Sequence, residues 1–99
     1  MPDDAVTVVL PCLNEADSLP AVLAAIPPGY RALVVDNNST DGTADVARRH
    51  GAEVVSEKQP GYGAAVHAGV SAARTVVVAV LDGDGSLNPA DLPRLVAEL

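Results

Sequence analysis

Phenylalanine and tryptophan are absent from this 99-residue chain. Any core must therefore be built from Val, Ala and Leu, the composition of a Val-rich sheet packed on Ala-rich helices. Apolar residues still make up 48% of the chain, which excludes disorder. Cys12 is the single cysteine. No intrachain disulfide can form, and a reducing compartment is expected. Cations are scarce, with 6 Lys and Arg against 13 Asp and Glu, for a net charge of −7. That balance excludes nucleic acid as a partner, because phosphate backbones recruit clustered Lys and Arg. It also excludes unaided capture of a phosphate ligand: a cation would have to mediate. No long hydrophobic run exists, and the longest, 75–81, is far too short to span a bilayer. No basic segment follows Met1, so no signal peptide is expected and the chain reads as cytoplasmic. Linkers, repeats and low-complexity segments are missing too, and the length allows one domain.

What is present alternates between two periods. AVTVVLP is an apolar, β-branched run and predicts a first strand. In 17–26, Leu19, Val22, Leu23 and Ile26 fall at helical spacing, with Asp17 or Ser18 as cap and Pro20 in the first turn. RALVVD predicts a second strand, 39–51 a helix ended by Gly51, and AEVVSE a third strand. GYGAAVHAGVSAA predicts an Ala-rich helix. TVVVAVLD predicts a fourth strand, nearly continuous in apolar residues and so expected to be central and buried on both faces. Asn88 or Asp91 then caps a last helix reaching Leu99, with Pro93 tolerated in its first turn if Asp91 is the cap.

This β-α-β-α-β-α-β-α order predicts an α/β fold, a parallel Rossmann-like sheet of order 3-2-1-4 with helices on both faces. Ligands of such sheets bind beyond the carboxyl ends of the strands, where the chain reverses direction, here between strands 1 and 4. Strand 1 ends in Pro11-Cys12-Leu13-Asn14-Glu15, strand 2 in Asp36-Asn37-Asn38-Ser39, and strand 4 in Asp82-Gly83-Asp84-Gly85. Turn and capping chemistry favours the same residue types, but three such clusters are expected on one rim. In extended backbone Asp82 and Asp84 project to one side and reach one cation. Gly83 and Gly85 are expected to clear space for a ligand and to allow unusual φ. Hard cations, Mg²⁺ or Mn²⁺, accept carboxylate and phosphate oxygens together.

Other readings of these residues compete. DGDGS fits the form used by aspartyl phosphatases, with Asp82 as nucleophile, but there the motif follows the first strand. A calcium loop starting at Asp82 would need Gly and Glu where Leu87 and Pro93 stand. The 59–69 stretch lacks the complete glycine pattern of a dinucleotide site. His67 reads as a packing or surface residue, Cys12 as a small buried one, and Arg48 and Arg49 as a solvated helix end. Tyr62 is a lesser candidate for stacking on a base or sugar.

LPCLNEADSLPAVL, VVDNNSTDGTADVA, GYGAAVHAGVSAA and VLDGDGSLNPADLPRLV, in that order, resemble the nucleotide-binding half of a family 2 glycosyltransferase of the GT-A fold. The branch most resembled includes polyprenyl-phosphate mannosyl- and glucosyltransferases, and the resemblance covers essentially the whole chain. It implies transfer of a sugar from a UDP- or GDP-linked donor, with Mg²⁺ or Mn²⁺ on the leaving diphosphate. It implies that Pro11, Leu13 and Glu15 border the nucleoside, that Asp36 and Asn38 hold base or ribose, and that Lys58, Gly61 and Gly63 lie beside the nucleotide. It implies that Asp82 and Asp84 bind the metal and the sugar diphosphate. The acceptor, such as a polyprenyl phosphate at the inner membrane surface, and the catalytic base are expected beyond Leu99. Residues 1–99 are thus expected to be an incomplete GT-A domain, inactive alone, exposing apolar surface and prone to self-association. A non-catalytic nucleotide-sugar-binding module is the alternative.

Overall fold

β-Branched and apolar residues form β1 (Val6–Cys12), whose side chains are buried in six of its seven positions. The computed structural model describes residues 6–75, 77–84 and 88–93. After β1 come α1 (Leu19–Ala25), β2 (Tyr30–Asp36), α2 (Thr43–Arg49), β3 (Glu53–Ser56), α3 (Tyr62–Ala72) and β4 (Val77–Val80). The strands form one parallel sheet of order β3-β2-β1-β4, the order expected. A 3-10 turn at Pro89–Asp91 follows β4, capped by Asn88, whose side chain accepts from the Ala90 amide, and α-helical backbone begins at Leu92, directly after Asp91. The rest of the expected last helix, 94–99, and Gly85 lie outside the described residues. No helix among the described residues is long and apolar enough to cross a membrane.

Alternation along β1 and β2 divides the core. Val8, Leu10, Cys12 and Val34 face α1 and α2, together with Leu19, Val22 and Ala47. Val9, Leu33 and Val35 face α3 through Ala65. Helices therefore cover both faces, as right-handed crossovers require when the chain first moves one way across the sheet and then returns. Gly69 brings α3 close: a Cβ there would sit 2.3 Å from Val9 Cγ1. α2 ends as its sequence suggests, with Gly51 at φ +85° and amides of Gly51 and Ala52 reaching back to Arg48 and Ala47.

Two expectations are corrected. β4 is not central: β1 pairs with it on one side, and among the described residues no strand pairs on the other. Its residues are half-buried, and Val80 is 36% exposed. The central position belongs to β1, where Val8, Val9 and Leu10 are fully buried. α2 is also shorter than its pattern, starting at Thr43. Residues 15–18 and 37–42 are spent on loops that bind each other at the sheet's carboxyl rim.

Candidate functional site: a cleft at the carboxyl rim

Register decides what meets at this rim. β1 runs level with β2 as far as Cys12 and Asp36, while β4 stops level with Val9. The Leu81 amide still donates to the Val9 carbonyl at 2.9 Å, so Asp82 and Gly83 continue beside Pro11 and Cys12. A cleft of about 330 Å³ opens there. Pro11, Cys12, Leu13 and Glu15 form one wall, Asp82, Gly83 and Asp84 another, and Asn37, Gly61, Tyr62 and Ala65 close it.

The β1–α1 loop is held in shape by the β2–α2 loop. Asn14, at φ 57°, accepts from the Thr40 amide at 2.7 Å, and its own amide donates to Ser39 Oγ at 2.9 Å. The Glu15 amide donates to Thr43 Oγ1, and the Ala16 amide to Asp41 Oδ2, both at 3.1 Å. Thr43 is fully buried and donates its hydroxyl to Asp41 Oδ1. That hydroxyl, followed by backbone N–H groups of Ala16 and Thr43, holds the Asp41 carboxyl below its ordinary range despite opposing desolvation. Glu15 is thereby aimed at the cleft by atoms on α2.

The β3–α3 loop is tied to β2 by Asn37. Its Nδ2 donates to the carbonyls of Glu57 and Gln59, both at 2.8 Å, and its Oδ1 accepts from the Gly61 amide at 3.1 Å. Gly61 takes φ +118°, which places Tyr62 at the start of α3. The Tyr62 side chain, 60% exposed, stands beside Asp82; desolvation first, then the neighbouring Asp82 carboxylate, push its phenol up.

The cleft floor is Cys12. Burial first, then the charges of Glu15, Asp36 and Asp41, push its thiol up to about 12. It remains a neutral packing atom. A Cβ on Gly83 would approach Cys12 Sγ to 2.6 Å. Gly83 does not take the left-handed backbone, so the expected reason for this glycine, unusual φ, is replaced by close packing.

The structure brings Pro11, Leu13, Glu15, Gly61, Asp82 and Asp84 together around one cleft. Asp36 stands on the same rim level with Cys12, but does not line it, and accepts from the Ser39 amide at 3.1 Å. Asn38, at φ 68°, and Lys58 are exposed outside it, joined by an Asn38 Nδ2 to Lys58 carbonyl bond of 3.0 Å. Gly63 lies within α3 with open space around it.

Asp82 and Asp84 flank a turn rather than an extended strand. Among the described residues no group of three or more His, Cys, Asp or Glu is arranged to hold a metal. The two aspartates offer oxygen ligands only, which fits a hard cation completed by a substrate's own oxygens and water.

The chain matches Glycosyl transferase family 2 over residues 7–99. It belongs to that family. A relative in Mycobacterium bovis, named an uncharacterized glycosyltransferase, is 76% identical over 99 residues, covering 100% of this chain and 45% of that protein. The dodecaprenyl-phosphate galacturonate synthase of Rhizobium johnstonii is 34% identical over 94% of the chain and 32% of its own length. A structure of glucosyl-3-phosphoglycerate synthase from Mycobacterium tuberculosis, solved with Mn²⁺, UDP and glucosyl-3-phosphoglycerate, superposes with a TM-score of 0.83 at 32% identity. The match covers 94% of this chain and 38% of that one. The chain thus spans less than half the length of these relatives. Family 2 membership displaces the phosphatase reading of Asp82.

In this family 2 chain, sequence reasoning missed two residues that shape the site. Asn37 sits in a polar run that reads as turn chemistry throughout, and only its burial separates it from Asn38. Ser18 reads as a helix cap, and its hydroxyl instead meets the Gly83 carbonyl at 2.6 Å.

Proposed function

We propose that residues 1–99 form the donor-binding half of a metal-dependent glycosyltransferase that takes a UDP- or GDP-linked sugar. One observation carries the reading. In a chain of net charge −7, Asp82, Asp84 and Glu15 line a single cleft at the reversal point between β1 and β4. Such a cleft repels a diphosphate unless a cation intervenes. The relative solved with Mn²⁺ and UDP supports both the metal and the nucleotide.

Asp82 and Asp84 are assigned to Mg²⁺ or Mn²⁺, which when bound would offset the charge of the leaving diphosphate. Pro11, Leu13 and Glu15 form the nucleoside wall. Asp36 extends that wall by shaping the loop after β2, and Asn38 and Lys58 act through the same loops. The similarity to a dodecaprenyl-phosphate galacturonate synthase favours a lipid-phosphate acceptor for the whole protein, at a membrane surface.

Thermal unfolding with UDP-glucose or GDP-mannose, with Mn²⁺, Mg²⁺ or a chelator, tests the proposal. One of the two donors should stabilise the chain with metal and not with chelator, by about 2.7 kcal/mol at a hundredfold excess over Kd. Asp84→Ala should abolish the effect. Absence of stabilisation by either nucleotide, or stabilisation that persists in chelator, would overturn the reading.

A further inference from the structure

Ser18 stands at the N-terminal boundary of α1, where a serine ordinarily accepts a hydrogen bond from a helix amide. It makes no such bond. Its hydroxyl instead lies 2.6 Å from the Gly83 carbonyl oxygen, 3.1 Å from Glu15 Oε2 and 3.3 Å from the Glu15 carbonyl. A hydroxyl has one proton to give, and the shortest contact takes it. The recipient is the middle residue of Asp82-Gly83-Asp84. Its carbonyl belongs to the peptide plane that carries the Asp84 amide, so fixing that oxygen fixes the direction in which the chain enters Asp84. Cys12 Sγ supports the same residue from below. Glycine has no side chain to restrain this plane, so the hook and the thiol contact both bear on its orientation.

We propose that Ser18 is a positioning residue for the two-aspartate turn, setting the aim of Asp84 relative to Asp82. The inference rests on the donor-site reading for its functional consequence, but the tether can be tested without any ligand. Ser18→Thr keeps the hydroxyl, and Ser18→Val has the shape of that threonine without it. Ser18→Ala removes the hydroxyl without adding a methyl.

Two measurements decide. In the metal-free chain, the backbone amide resonances of 82–84 should move in Ser18→Val and Ser18→Ala and return towards native positions in Ser18→Thr. With Mn²⁺ present, nucleotide affinity should fall roughly five- to tenfold in the Val and Ala variants and stay within about twofold in Thr, as for one lost hydrogen bond. Unchanged resonances in Ser18→Val would overturn the tether whatever the nucleotide result. Native affinity in Ser18→Val, or an equal loss in Ser18→Thr, would overturn its role in binding. If the unaltered chain binds no nucleotide, the donor-site reading fails, and the resonances still judge the tether alone.

Discussion

Asn37 shows how much of the site depends on a single buried amide. Its three side-chain bonds hold the β3–α3 loop, and through Gly61 they place Tyr62 beside Asp82. Both protons of the Nδ2 group are used, each on a carbonyl. Asn37→Asp keeps the shape and replaces those two donors with an acceptor facing two acceptors. The expected cost is about 2–3 kcal/mol, read as a lower urea midpoint with an unchanged slope. An unaltered midpoint would show that the loop is held by something else. Two asparagines adjoin here, and residue type alone does not reveal which one turns inward. Register does: Asn37 follows the last paired residue of β2, and its amide donates to the Cys12 carbonyl at 2.9 Å.

At the scale of elements, β4 and the turn after it were legible in part. The apolar run marked the strand and the two aspartates marked its rim. The role of Gly83 was not legible, because Cys12, its close neighbour, lies on another strand. Gly83→Ala should destabilise the chain by about 1–3 kcal/mol, since its Cβ would overlap the thiol. Cys12→Ala removes that thiol, so the double variant should cost less than the sum of the two singles. Chemical denaturation of the three variants measures this coupling, and strict additivity would rule out the contact. Gly63 is the control position, because a Cβ there meets nothing within 4 Å.

The molecule as a whole has an acidic, concave rim and an apolar sheet edge. Val77, Val78 and Ala79 are half-buried and Val80 is exposed, on a strand with no partner on one side among the described residues. An edge of this kind templates pairing with another chain. Sedimentation velocity should therefore show self-association that increases with concentration, and Val80→Lys should weaken it. A monomer across the accessible concentration range would refute the expectation. The apolar pattern of β4 on its own predicts a central strand. That pattern reports which surface needs covering, and the topology of these residues leaves one side of it uncovered.

Alternating periods determined the element order, and with right-handed crossovers that order left few sheets to choose from. Order 3-2-1-4 and a gathering of acidic residues at the rim between the first and fourth strands were therefore readable from residue types and spacing. The motifs around Glu15, Asp82 and Asp84 likewise carried the family. Tertiary structure alone decided the contacts that give the rim its shape: Ser18 on Gly83 across 65 residues, Cys12 beneath the same glycine, and Asn37 across to Gly61. Local propensity acts over a few neighbouring residues. These contacts depend on strand register and helix placement, which are set only when the sheet closes around its core.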